Sequence, residues 1–325
     1  MAPGNRNHPK RAGGSESTYT IMDFMRDFPD DATCLEYLWR RHYALDPENR
    51  AHCPKCGEIR KFHRVASRPS FSCDSCGHHI HPTAGTIMHK SSTSLQLWFH
   101  AIFLMAQTRC GISAKQLERD LGVTYKCAWR MFTKIRNELM SQDDTPLSGT
   151  IEADEMYVGG KPRQSDRAAW AAKPSSTERR QAAQAWSHAR KTPVFGMVER
   201  GGSTTAHVVP KRPQATIMNY LATRVDSSAT LYTDDARIYD RVNATIGLHH
   251  DTINHSARVY VSGDVHTNTI EGFWALVKTG IIGTHHHVSP KWLQGYLNEY
   301  AWRYNRRNDA HPMFLSLLEQ IRPVA

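Results

Sequence analysis

Four cysteines stand in Cys53-Pro-Lys-Cys56-Gly and Cys73-Asp-Ser-Cys76-Gly, a C-x2-C-x16-C-x2-C pattern. Each C-x2-C turn can present two thiolates, and four soft ligands in a tetrahedron suit one Zn²⁺. Gly57 and Gly77 follow the second cysteine of each pair, where the chain must turn through positive φ. A shell filled by four sulfurs leaves no open position, so this zinc is expected to be structural. Between the pairs, Phe62–Ser72 carries strand-forming residues around an Arg68-Pro69 turn, as a zinc-ribbon hairpin would. His52, His78, His79 and His81 lie nearby but the cysteines already complete the shell. Cys34, Cys110 and Cys127 fall on apolar helical positions and are expected in the core.

A second set of residues is acidic and comes from three distant segments. In Ile151-Glu152-Ala153-Asp154-Glu155-Met156-Tyr157, strand alternation puts Glu152, Asp154 and Met156 on one face. A carboxylate inside a strand pattern is costly to bury unless it binds a cation or a partner. The apolar run Leu231-Tyr232-Thr233 ends in Asp234-Asp235. In the third segment, Asn268 and Glu271 share a helix face, and Lys278 follows two turns later. Glu155 and Asp235 read as neighbours or caps of the principal acids, and Glu152 as an ion-pair partner. His266 is a candidate for orienting that helix. His285-His286-His287 reads as a turn that touches DNA or packs beneath it. Carboxylates meeting in space would suit Mg²⁺ or Mn²⁺, and two such ions support phosphoryl transfer.

These residues need elements to position them. Residues 113–136 read as two helices separated by Leu121-Gly122-Val123-Thr124. Thr124, Tyr125 and Lys126 open the second helix, and Arg130, Lys134 and Arg136 are expected on its exposed face. A basic helix after a tight turn suits the major groove of DNA. Residues 161–191 carry eight Lys/Arg against two acids with little apolar periodicity, which reads as an extended basic loop. Around it, strands are expected at Thr150–Tyr157, Pro193–Glu199, Thr205–Val209, Ala229–Thr233 and near 249–255. Helices are expected near 214–224, 267–279 and 290–305. That order implies a mixed α/β domain. Trp274, Trp292, Tyr296, Tyr300 and Trp302 read as core, and Arg303, Arg306 and Arg307 as a solvated basic face.

The whole chain has 325 residues with a net charge of +10, which points to a polyanionic partner. No run approaches the ~18 apolar residues of a membrane span. The Gly/Ser/Asn-rich start, 1–19, reads as a disordered leader without a secretory h-region. The divisions expected are therefore 1–19, helices and ribbon over 20–90, a helix-turn-helix region over 91–142, and an α/β domain over 149–325 with a basic insertion at 161–191. Paired cysteines without a disulfide framework suit a reducing, cytoplasmic setting.

The strings IEADEMYVGGK, LYTDDARIY, HTNTIEGFWALVKTGIIGTHHHVS and YLNEYAWRYNRR, with the cysteine segment, resemble the ISXO-type transposases of bacterial insertion sequences. The resemblance implies a zinc ribbon joined to a ribonuclease-H-like catalytic domain of the DDE type. It implies that Asp154 and Asp234 hold metal on adjacent strands, with Glu271 or Asn268 as third ligand and Lys278 contacting DNA phosphate. It further implies two Mg²⁺ (or Mn²⁺) ions, double-stranded DNA ends and target as partners, and a homo-oligomer that holds two ends in the nucleoid. A zinc-ribbon regulator with an inactive catalytic half, or a nuclease without strand transfer, remains an alternative at this stage.

Overall fold

The computed structural model describes residues 19–142, 145–160, 162–210, 214–253 and 265–323. The chain forms two compact units, Met1–Met140 with Arg306–Ala325, and Ser141–Asn305. Apart from Tyr19, the expected leader lies outside the described residues, as do Lys161 and the end of the expected 249–255 strand.

In the first unit, α1 (Ile21–Asp27) begins with a reciprocal Thr20–Asp23 capping box. The neighbouring acids Asp30 and Asp31 cap different helices. Asp30 accepts from the Thr33 amide to start α2 (Asp31–His42). Asp31 accepts from the Gln96 amide, 2.9 Å away, where a later helix begins. Four short strands follow: β1 (Arg50–His52), β2 (Ile59–Val65), β3 (Ser70–Cys73) and β4 (His79–Ile80), paired antiparallel in chain order. Trp39 of α2 stacks on Phe71 with ring centres 4.2 Å apart and also meets Phe62. This small sheet therefore has an aromatic core besides its cysteines.

Helix α3 (Leu95–Gln107) is buried along most of its length and packs against α4 (Ala114–Leu121) and α5 (Tyr125–Lys134). Gly122 ends α4 at φ +63°, and Thr124 caps α5 by accepting from the Cys127 amide. Leu117, Leu121, Ala128, Met131 and Phe132 form the buried seam. Arg136, expected on the exposed face, is buried with its guanidinium 3.5 Å from the Phe132 ring centre. The helix continues into a wider π-type turn over Ile135–Leu139, which rotates later residues off the α-helical face assumed from sequence. Cys110, expected in the core, is exposed in the turn after α3.

The tail corrects the expected domain limit at 325. Helix α12 (Met313–Glu319) packs on α3, with Phe314 against Phe24, Phe28 and Phe103, so residues from Arg306 onward belong to the first unit. Its apolar face, Phe314, Leu317 and Leu318, is fully buried.

The second unit is a mixed α/β fold. Its strands are β5 (Thr150–Val158), β6 (Thr192–Glu199), β7 (Thr204–Val208), β8 (Thr230–Asp234) and β9 (His249–Ile253). They form one sheet in the order β7-β6-β5-β8-β9, antiparallel from β7 to β5 and parallel from β5 to β9. Ile151, Ala153, Phe195, Met197 and Leu231 face one side, where Ile217 and Leu221 of α8 (Gln214–Arg224) and Val242 of α9 (Val242–Ile246) close the core. The opposite side carries α10 (Asn268–Gly280) over β5 and β6, and α11 (Leu293–Asn305) over β7. Trp274, Tyr296, Tyr300 and Trp302 are buried there as expected. Arg303 is not on a solvated face: it is buried, 2.5 Å from the buried Glu299 one turn earlier.

The basic insertion between β5 and β6 is not an extended loop. It folds as α6 (Gln164–Ala171) and α7 (Ser176–Arg190), the latter started by a Ser175–Glu178 capping box. Its many Ala, Gln and Arg are strong helix formers. The missing apolar periodicity reported the lack of a buried face, not the lack of a helix.

Candidate functional site

The cysteine cluster is built by two equivalent knuckles. Gly57 N–H donates to the Cys53 carbonyl and Gly77 N–H to the Cys73 carbonyl, with both glycines at positive φ. Cys53 N–H in turn donates to the Glu58 carbonyl, and Cys73 N–H to that of His78. The two turns bring the four Sγ atoms within 4.8 Å of one another. Cys53 and Cys76 sulfurs are 3.6 Å apart, and those of Cys56 and Cys73 4.0 Å. A tetrahedral zinc with Zn–S near 2.3 Å requires sulfurs about 3.8 Å apart, so the four side chains fit that ion. Among the described residues, this is the group of three or more His, Cys, Asp or Glu drawn this close. The nearby histidines are turned to other uses, as when His79 meets the Ser70 hydroxyl at 3.1 Å.

The acids are placed by the sheet. Thr150, Ile151 and Glu152 of β5 pair with Thr230, Leu231 and Tyr232 of β8, an offset that brings Asp154 level with Asp234 on the same face. Helix α10 covers that face and carries Glu271 into the field of Asp154. Burial, then the negative charge of Asp234, pushes the Asp154 carboxyl up to about 6, with Glu271 adding in the same direction. Glu271 itself accepts from the Thr267 hydroxyl at 3.1 Å. Asn268 stands exposed at the first helical residue, and Lys278 is exposed two turns beyond Glu271. Among the described residues the carboxylates are not drawn within 4.8 Å of one another as the four sulfurs are, and Glu271 is exposed.

Two residues before Asp154, Glu152 meets the opposite fate. It is fully buried, and its carboxylate accepts from Arg200 Nε at 2.7 Å, the Thr269 amide at 2.7 Å, the Thr269 hydroxyl at 2.8 Å and the Ile270 amide at 3.0 Å. His266 Nδ1 lies 3.2 Å away, and Arg200 also donates to the His266 carbonyl. The amides belong to the first turn of α10, which has no side-chain cap of its own from Thr267. Glu152 thus caps that helix from β5, fastening the strand of Asp154 to the helix of Glu271. The ion-pair reading of Glu152 and the orienting role of His266 are both visible here. Arg200, in the turn after β6, carried no sequence signal for this part.

A second fastening involves Gly196, which pairs with Asp154 across β5 and β6. A Cβ at Gly196 would lie 2.5 Å from the Trp274 ring, so only glycine lets that indole settle on the sheet. The indole abuts Asp154 and draws its carboxyl down somewhat, against the larger upward push of burial. On the other face of β5, Glu155 accepts from the Tyr239 hydroxyl at 2.6 Å, and burial raises its carboxyl to about 7. Asp235, read as a neighbour of the principal acids, follows the last β8 residue, where Asp234 accepts from the Ala236 amide at 3.1 Å. In the histidine triplet, His285 packs edge-on to Tyr296 and His286 takes positive φ at the turn.

On α5, Thr124, Tyr125, Lys126 and Arg130 are exposed. Arg130 donates to the His89 carbonyl at 3.3 Å, and Lys134 lies 3.1 Å from Glu138. The face is cationic, but those two side chains already have protein partners. No helix among the described residues is long and apolar enough to cross a membrane.

Residues 146–305 match the ISXO2-like transposase domain of the IS1595 group. Over 270 residues the chain is 30% identical to a protein in the transposable element ISH50 of Halobacterium salinarum, covering 78% of this chain and 85% of that one. A 40-residue stretch is 42% identical to the large ribosomal subunit protein bL32 of Rhodospirillum rubrum, 12% of this chain and 54% of that protein. No solved structure matches the chain. A relative covered along most of its length, together with the domain match across the acid-bearing sheet, establishes that the chain belongs to the IS1595-type, ISXO2-like transposases and carries a four-cysteine cluster in its first unit.

Proposed function

We propose that this transposase cuts the ends of its element and joins the resulting 3′-OH groups to target DNA by metal-dependent phosphoryl transfer, with a ribonuclease-H-like sheet as its catalytic scaffold. The observation that carries this reading is the common face of Asp154 and Asp234 on adjacent strands, where burial and the Asp234 charge raise the Asp154 carboxyl, with Glu271 exposed on the covering helix and adding in the same direction. Such a face suits oxygen-loving divalent cations, and its residues fit Mg²⁺ or Mn²⁺. When bound, two such ions supply charge stabilisation of the attacking and leaving oxygens.

The chain's own residues do the rest. Asp154 and Asp234 hold the ions as ionised carboxylates, and Glu271 closes the site from α10, with Asn268 as the alternative one turn earlier. Lys278, two turns on, meets a DNA phosphate and fixes the register of the scissile strand. Glu152, Arg200 and His266 are positioning residues that keep α10 on β5. In the first unit, Thr124, Tyr125 and Lys126 with Arg130 and Lys134 form a helix-turn-helix face for the ends, beside a zinc ribbon held by Cys53, Cys56, Cys73 and Cys76. Because two ends must be cut together, the active form is a homo-oligomer.

Purified, zinc-loaded protein given Mg²⁺ or Mn²⁺ and DNA bearing the element's ends is expected to nick those ends and join them to plasmid. Asp154→Asn is expected to abolish both steps while leaving DNA binding intact. Undiminished joining by that variant would overturn the assignment. Cutting without joining would leave a nuclease.

A further inference from the structure

The helical hairpin α6–α7 buries nothing in either of its helices that could serve as a core. Every described residue of α6 and α7 is exposed or only partly covered, and the one aromatic pair, Trp170 with Trp186 at 5.8 Å, joins the helices to each other. Helices of 8 and 15 residues without a buried face are marginal on propensity alone. Elements of this kind are retained for what they contact.

The charge says what that is. Between residues 162 and 191 stand seven Lys/Arg and two acids. Asp166 and Glu178 are spent on helix starts, each accepting an amide at a cap. Among the described residues no salt bridge involves Arg163, Arg167, Arg180 or Arg190. By contrast, Arg26, Arg40 and Arg50 each hold a carboxylate within 2.9 Å, and Arg200 and Arg303 are paired inside the second unit. These four arginines stand together on an arm that leaves the sheet directly from the strand of Asp154. Glycine at 159 permits a close crossing of Lys191, where a Cβ would come 3.0 Å from that side chain. Val158 and Thr192 remain paired beneath it.

We infer that the α6–α7 hairpin is a sequence-independent grip on the phosphate backbone of double-stranded DNA, with Arg163, Arg167, Arg180 and Arg190 as its contacts. This deepens the proposed function and rests on it for the identity of the polyanion. Guanidinium forks match phosphate oxygens, and contacts to phosphate carry no base information. Each contact releases counterions, so the arm is written in the salt dependence of binding.

The test uses the full-length, zinc-loaded chain and a random-sequence 40-base-pair duplex. Changing the four arginines to Gln keeps helix propensity. It is expected to lower the slope of log K against log salt by about 4, near 1 for each contact. At about 0.1 M salt the affinity for this duplex is expected to fall on the order of 100-fold or more. Excising 161–190, so that Gly160 runs into Lys191 as a short turn between paired strands, is expected to reproduce that loss. Changing the already paired Arg26, Arg40 and Arg50 to Gln is expected to leave the slope unchanged. An unchanged slope in both the Gln variant and the excision would overturn the inference, as would an equal loss from the paired-arginine control. If the wild type proves inactive on DNA ends yet the slope falls as stated, the catalytic reading fails and the grip stands. If cutting and joining are found but the slope is unmoved, the reverse holds.

Discussion

The cysteine cluster and the proposed acidic site are made in opposite ways. The cysteine cluster is assembled by two local turns, each closed by a glycine at positive φ, and its sulfurs already stand 3.6 and 4.0 Å apart. The acidic face draws on a strand, the end of a second strand and a helix far along the chain, and the Asp234 and Glu271 charges raise the Asp154 carboxyl. One site is therefore built as a local clasp, and the other is a face assembled from distant segments.

This contrast can be broken most forcefully at the zinc. Chelation is expected to unfold residues 50–80, with a loss on the order of 10 kcal/mol, because binding energy there is folding energy. Hydrogen exchange should show that loss confined to the ribbon, with the second unit's sheet still protected. Removal of an acid should act the other way. Asp154→Asn is expected to cost about 1,000-fold or more in DNA cutting, yet to raise the melting temperature of the metal-free protein, since it removes a charge that burial disfavours. A thermal melt without divalent ions checks the second half.

Glu152 sharpens the comparison within a single strand. It sits on the same face as Asp154 but is satisfied by an arginine, a hydroxyl and two helix amides. Glu152→Ala is therefore expected to destabilise the second unit by about 2–4 kcal/mol, the cost of leaving a half-buried arginine and two helix amides without their acceptor. Asp154→Ala at the neighbouring position should not. Urea unfolding of the two variants separates them.

The sequence made the local features legible and the long-range ones only in part. The cysteine knuckles, the turn at Gly122 and the alternation of β5 are written within a few residues each. The pairing of Asp154 with Asp234 followed from a family resemblance, because no local pattern specifies which strands adjoin. Glu152 drew notice as an acid in an apolar strand, but Arg200 lies in an ordinary hairpin turn and gave no sign of its partner. Arg136 and Arg303 were read as exposed because arginine usually is. A ring beneath the first and Glu299 beside the second reversed that. The α6–α7 hairpin escaped because amphipathic spacing detects helices with a buried side, and this pair has none.

The pH dependence follows in sign from the acids. Asp154 and Glu155 titrate in the fold near 6 and 7, above the ordinary 3.8 and 4.5. The folded state thus holds protons that the unfolded chain has released. Without divalent ions, the stability these two groups contribute is expected to be fully present below about pH 4 and to decline as pH rises to about 7, by roughly 2–3 kcal/mol for each group. Saturating Mg²⁺ should flatten that decline, as seen in melts across the range. The smallest effect is expected at Gly196, where Ala must displace the Trp274 ring. A loss of about 1–3 kcal/mol, with cutting reduced more than DNA binding, would mark the glycine as a support for α10.

The most direct measurement of the central claim is Mn²⁺ binding to the zinc-loaded chain, followed by electron paramagnetic resonance. The wild type is expected to take up two Mn²⁺ per chain at pH 8, and Asp154→Asn and Asp234→Asn each to lose that uptake, with the cysteine-bound zinc unaffected. Equal Mn²⁺ uptake by all three proteins would contradict a catalytic metal site on the shared face of β5, β8 and α10.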